Sequence, residues 1–394
     1  MSKSSSTYNV SVGYLRAFVT LLVVAHHAAL AYHPYAPPPP ANLVALSRWW
    51  EAFPVVDSAH WSGFALFVGF NDIFFMSLMF FLSGLFVWSS LTGKGAGTFA
   101  KERWRRLGIP FLWAIAIVSP LAYSASYVQS SANPTLGGFV HQWLSLGEWP
   151  SGPAWFVWVL LAFDWFASFL FWLWPKWGDS IGRWSSDSAR RPAAFFTLVL
   201  IACAIAYVPM ALAFGPLSWT GWAPWVVQSS RPFLYLVWFL AGVGVGAQGI
   251  ENGLLAPEGK LARRWLLWVV GALAAFGLAN VVFIASLSVP AAATMWAGAN
   301  AAAFVISCAA SCFAFLALFT RFARRRVRIP DSITRNAYGM YLVHYAFVAW
   351  LQYALLKAVM PGVAKGSLVF AGAMVLSWAT TAALRRIPAV ERVI

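Results

Sequence analysis

Of 394 residues, 61% are apolar, 17% aromatic and only 10% charged. That balance excludes an ordinary soluble globule and identifies a polytopic membrane protein. A formal charge of +15 would suit a nucleic-acid binder, but its placement along the chain argues against nucleic acid as a partner and for membrane topology instead.

Ten stretches are apolar and long enough to span a bilayer, which takes about 20 residues of helix. They lie near 14–34, 70–91, 107–126, 153–174, 193–213, 227–248, 265–287, 297–320, 337–357 and 366–384. With the N-terminus in the cytoplasm, all lysines and arginines but Arg16, Arg48, Arg231, Lys357 and Lys365 fall on cytoplasmic segments. The positive-inside rule then places both termini in the cytoplasm. The expected fold is therefore all-α, a single transmembrane domain over 1–394 in the lipid bilayer, with any active site built within or between the helices.

The first span carries Arg16 and His27, eleven residues apart. Eleven helical residues make about three turns, so both side chains fall near one stripe, roughly 16 Å apart along the axis. His26 points elsewhere. Ionisable residues inside a membrane segment are costly and usually face a bundle interior, where they serve function; the alternative is a snorkelling arginine and a carbonyl-bonded histidine. Ala17–Ala25 followed by Ala29-Leu30-Ala31 resembles a signal peptide, but the apolar run continues through Tyr32, and the segment is expected to be retained.

The long external loop 33–69 opens on His33-Pro34 and the Pro37–Pro40 run, which ends the first span. Its Trp49, Trp50, Phe53 and Trp61 suit an interfacial segment. The second span brings Asn71-Asp72 near its outer end, where Asp72 could pair with or orient an imidazole. It ends on Phe80-Phe81-Leu82-Ser83-Gly84, whose small pair permits close helix approach. At the cytoplasmic mouth of the third span stands Lys101-Glu102-Arg103-Trp104-Arg105-Arg106. Arg103 and Arg106 share a helix face and suit bidentate phosphate binding, unless they are simply topology determinants. A second polar external loop covers 127–152. Asp164 in the fourth span and Arg231 in the sixth are further intramembrane charges, most cheaply explained by a mutual salt bridge. Cys203, Cys308 and Cys312 read as packing residues, and no metal is expected. His344 in the ninth span is either a satisfied core residue or a pocket wall.

These motifs together resemble the acyltransferase-3 family of bacterial integral-membrane O-acyltransferases. The likeness rests on Leu15-Arg16 with ten residues before His27, Phe80–Gly84, Arg103-Trp104-Arg105-Arg106, Trp155-Phe156-Val157-Trp158 and Tyr338-Gly339-Met340-Tyr341-Leu342-Val343-His344. Arg105–Pro110 and Phe70-Asn71-Asp72 look most like the branch that succinylates periplasmic glucans. The resemblance implies transfer of an acetyl or succinyl group from cytoplasmic acyl-CoA, with no permanently bound cofactor. The acceptor would be a hydroxyl of a glycan or small molecule outside the bacterial inner membrane. It implies His27 as essential histidine with Arg16 its partner, and Arg103 and Arg106 as donor-binding residues. His27 would then act as general base or as transient acyl carrier, and Asn71, Asp72, Trp155, Tyr341 and His344 are candidate supporting residues. Pro153-Ala154 stands where many members have His-Leu. No hydrolase-like outer domain accompanies these spans, so the chain is expected to act alone or with a separate partner. A transporter or flippase would use the same intramembrane charges as a translocation path, and a scaffold would use them only structurally.

Overall fold

The computed structural model describes residues 9–39, 41–44, 53–147, 149–222, 224–288 and 293–394. Trp49 and Trp50 lie outside them. Among the described residues ten long helices form the bundle: α1 (Val10–Leu30), α2 (Gly63–Lys94), α3 (Ala96–Ser130), α4 (Gly152–Leu173) and α5 (Pro192–Phe214), then α6 (Pro232–Ala247), α7 (Trp265–Ser288), α8 (Ala293–Phe322), α9 (Arg328–Ala354) and α10 (Gly362–Leu384). Among the described residues, eight of these are long and apolar enough to cross a membrane.

The expected sixth and ninth spans fall on the other two. Helix α6 has only 16 residues, because Trp219–Trp222 and Trp225–Gln228 pair as an antiparallel hairpin where a helix had been expected from residue 227. Pro232 then opens the helix at a position where its missing N–H costs nothing. Helix α9 is long enough at 27 residues, but it begins in a charged turn and buries Asn336, His344 and Gln352. The second and third helices start well before the expected spans, at Gly63 and Ala96, and the loop 127–152 contains a short helix, Leu136–Ser145.

Helices α1 and α8 are central, each with 67% of its most apolar window buried, whereas the figure for α7 is 11%. Helix α1 packs against α2, α8, α9 and α10. Its first turn is fixed by the Asn9 side chain, which accepts from the Val12 N–H at 3.1 Å. A helix this enclosed has no lipid for a histidine to snorkel through, so His27 must be satisfied by protein.

Helices α2 and α6 meet at backbone contact. A β-carbon at Gly242 would sit 2.1 Å from the Phe81 carbonyl oxygen, and one at Gly84 would sit 2.2 Å from that of Phe239. Gly84 thus has the packing role its sequence context suggests, and Gly242 with Gly246 forms the matching small-residue ridge. In α3 the helix widens into π turns at Trp104–Gly108 and Ala114–Val118. Pro110 has no N–H to give the Arg106 carbonyl; Tyr338 of α9 donates its hydroxyl to that carbonyl instead, at 2.6 Å.

Outside the first span, the 53–62 segment is tied to α10 by Lys365, whose Nζ is 2.7 Å from the Asp57 carboxylate. Both side chains are 2% exposed. Neither residue announces this pairing in the sequence, since each lies in a stretch that reads as an external loop or helix start.

Two outcomes follow from this packing. Gly242→Ala should destabilise the protein by about 2 kcal/mol, because the clash is with backbone. Gly271→Ala, with nothing within 4 Å of its β-carbon, should be neutral or slightly stabilising; thermal unfolding in detergent measures both. Lys365→Met should cost about 3–5 kcal/mol by leaving Asp57 buried and unpaired, and Asp57→Leu added to it should restore much of that loss.

Candidate functional site

His27 lies three turns along α1 from Arg16, on the side that faces α9. Its Nδ1 is 2.8 Å from the Val23 carbonyl oxygen. A carbonyl can only accept, so Nδ1 carries the hydrogen in the neutral ring. The same reasoning puts the hydrogen of His344 on its Nδ1, which donates to the Tyr341 carbonyl at 2.6 Å. The Nε2 of His344 is then an acceptor, 3.3 Å from His27 Nδ1. One hydrogen on His27 is thus shared between Val23 and His344, and the Nε2 of His27 is left as a basic lone pair.

The histidine pair is held from both helices. Tyr345 packs edge-on against His27 with ring centroids 5.2 Å apart, and Gln352 donates its amide to the His27 carbonyl at 2.9 Å. His344, read from sequence as either core or pocket wall, is fully buried and reaches His27 directly. His26 is buried toward α2, with its ring 5.1 Å from that of Phe75 and 5.4 Å from that of His27. Sequence reasoning missed Tyr345 and Gln352. Gln352 could have been found by the rule that picked out His344, as a polar residue two turns further along an apolar stretch.

Arg16 does not touch this pair. It lines a cavity of about 460 Å³ at the basic end of the bundle, together with Lys94, Arg103, Arg106, Arg335 and Arg392. The side-chain carboxylates in its wall are Glu102 and Glu391, Glu102 paired with Lys94 at 2.5 Å and Glu391 with Arg385 at 3.7 Å. The cavity is therefore strongly cationic. It lies within the usual size range of ligand pockets, roughly 300–1,000 Å³. Thr20, one turn beyond Arg16, continues the wall inward, and Phe156, Leu160 and Tyr341 close its inner end. The sequence expectation that Arg103 and Arg106 share a surface holds, although a π turn rather than an α turn brings them together.

The intramembrane charges pair differently from the expectation. Asp164 and Arg231 do not meet. Asp164, 1% exposed, faces Arg103 Nε at 3.3 Å, so this buried carboxylate anchors one of the cavity's arginines. Arg231 instead grips the Asp72 carboxylate with two hydrogen bonds, Nη1–Oδ1 at 2.9 Å and Nη2–Oδ2 at 2.5 Å, and donates a third to its backbone carbonyl at 3.1 Å. The reason is position along the bundle: Asp164 and Arg103 sit toward the basic end, Arg231 and Asp72 toward the opposite one. Asp72 is consequently spoken for by an arginine; the imidazole within its electrostatic range is that of His26. Asn71 is buried, and its Nδ2 has no hydrogen-bond partner among the described residues. Trp155 stacks on Tyr235 at 5.7 Å, away from the cavity. At the outer rim, partial burial and then the neighbouring His60 lower the pKa of His33, which keeps that imidazole neutral at pH 7. Cys203, Cys308 and Cys312 are all buried free thiols.

The molecule thus offers a cationic cavity at one end and a neutral, tautomerically fixed histidine beyond its inner wall. That pairing suits transfer of a group carried on an anionic, phosphate-bearing donor. A family model described as an acyltransferase domain matches residues 9–382, whereas no curated protein and no solved structure matches the chain. The match spans nearly the whole bundle, including both ends of the site, and decides for an enzyme over a transporter or a scaffold. The chain belongs to the acyltransferase-3 family, and it is a multi-pass membrane enzyme that transfers acyl groups.

Proposed function

We propose that this enzyme takes an acetyl or succinyl group from cytoplasmic acyl-CoA and transfers it to a hydroxyl of a glycan or small acceptor outside the bacterial inner membrane. Both termini and the cationic cavity then face the cytoplasm. The observation that carries the reading is the cavity itself, lined by Arg16 of α1 and by Arg103 and Arg106 of α3, with the His27–His344 pair further along α1 and α9, two helices that also line it. Guanidinium groups match the phosphates of CoA, and the donor's thioester end would point inward, toward α9 and His27.

In the transfer, the acceptor oxygen attacks the thioester carbonyl carbon. Its proton passes to His27 Nε2, the lone pair left free by the bond from Nδ1 to Val23. As the carbon–sulfur bond breaks, the CoA thiolate takes that proton and leaves as the free thiol. An imidazole has a suitable intrinsic basicity for this work. His344 acts as a positioning residue by accepting from Nδ1 and holding the tautomer. Arg16, three turns away, serves the donor rather than the reacting carbonyl. Asp164 fixes Arg103, and the Asp72–Arg231 pair, with Asn71 and Trp155 nearby in the framework, holds the helices around the site.

In lipid nanodiscs with radiolabelled acetyl-CoA or succinyl-CoA and a periplasmic glycan extract, His27→Ala should lower turnover by about 10²–10⁴-fold, the usual contribution of a general base, while donor binding persists. Wild-type turnover by this variant would contradict the mechanism. Arg106→Ala should mainly raise KM for the donor. Arg103→Ala should raise KM and also lower thermal stability, because it leaves the buried Asp164 carboxylate without its ion pair.

A further inference from the structure

Beside the cationic cavity lies a second, far smaller space of about 10 Å³, at the lower limit for a single water. Its walls include Ala114 and Val118 of α3, Ser151 and Ala154 of the turn that opens α4, and Leu342 and Tyr345 of α9. Tyr345 is the residue that packs edge-on against His27, so this space is the antechamber of the histidine. Tyr341 is the one residue that lines both spaces. Its ring is the partition between them.

The partition is latched. The Tyr341 hydroxyl donates to the Pro153 carbonyl, and Pro153 belongs to the short turn Gly152–Ala154. Gly152 has φ +50, and a β-carbon there would meet the Tyr345 ring at 3.1 Å. One turn therefore touches both tyrosines, Tyr341 at the cavity and Tyr345 against His27. Among the described residues none that lines the small space is charged, and their polar side-chain groups are serine and tyrosine hydroxyls. A carboxylate placed there would be buried without a cation, which is expensive.

Resting on the acyl-CoA reading above, we propose that Tyr341 is a latched gate between donor and histidine, and that the small neutral space behind it filters the acyl group by length and charge. When the hydroxyl leaves Pro153 and the ring turns aside, the thioester end of the donor can pass. The acyl group then has to fit among Ala114, Val118, Ala154 and Leu342, which favours a short uncharged group over a longer or anionic one.

Two measurements test this, and the first requires no catalysis. Ser151→Cys places a thiol on the far side of the gate, and a small membrane-impermeant methanethiosulfonate reagent is applied from the cytoplasmic face. The protein without that substitution, whose own thiols are buried, is the control. Labelling should be slow in Ser151→Cys, several-fold faster when Tyr341→Phe removes the latch, and at least tenfold faster with Tyr341→Ala. Equal rates in all three would overturn the gate. The second compares acetyl-, butyryl- and succinyl-CoA as donors. The native enzyme should prefer acetyl-CoA, and Tyr341→Ala should raise the butyryl-to-acetyl ratio of kcat/KM at least tenfold. Equal use of the three donors, or a ratio that Tyr341→Ala leaves unchanged, would overturn the filter. If none of the three is turned over, the acyl-CoA reading and the filter fall together, and labelling still decides the gate.

Discussion

A polar group inside a lipid-embedded bundle has no water to turn to, so each one must find its partner on another part of the protein. In this molecule that constraint does the work of assembly. Arg231 and Asp72 join the start of α6 to α2. Arg103 and Asp164 join α3 to α4. Lys365 and Asp57 clamp the outer segment onto α10, and His27 and His344 join α1 to α9. All but the Arg103–Asp164 pair, which joins consecutive helices, cross between elements far apart in sequence, and together they fix the frame in which the remaining helices pack by shape. The glycine contact of α2 with α6 is such a shape contact.

The same constraint separates the site into two regions with different chemistry. Positive charge without a carboxylate partner is affordable only where side chains reach the basic end, so the cationic cavity forms there, with Arg103 held in place by a buried carboxylate. Elsewhere a buried cation needs its own carboxylate, as Arg231 and Lys365 have, and beside α9 the structure supplies an imidazole whose tautomer is set by a backbone carbonyl and a second imidazole. A donor with an anionic head and a neutral reactive end fits that gradient. The barrier between the regions is aromatic, with Tyr341 on one side and Tyr345 on the other.

Much of this was legible in the sequence, for physical reasons. The apolar stretches located the helices because bilayer thickness fixes their length, and the eleven-residue spacing put Arg16 and His27 on the α9 side of one helix because helical geometry is regular. The likeness to a family was carried by short motifs, and the family match extends over residues 9–382, which contain all of them. Partnerships were not legible. Asp164 and Arg231 were the two charges that stood out in the spans, but pairing depends on depth and on which helices touch, and each found a different partner. The hairpin at 219–228 escaped because a short apolar run rich in tryptophan and valine reads equally as helix or strand. Tyr345 escaped because an aromatic beside a histidine carries no signal until the facing helix is known.

The most direct test of the central claim is a cryo-EM structure of the enzyme in a nanodisc with a non-hydrolysable acetyl-CoA analogue in which a ketone replaces the thioester. The account predicts phosphate density beside Arg103 and Arg106, a pantetheine arm passing a displaced Tyr341, and the carbonyl carbon close enough to His27 for an attacking hydroxyl to lie between them. Nucleotide density elsewhere on the protein, or an acyl end that stops in the cationic cavity with Tyr341 still bonded to Pro153, would contradict it.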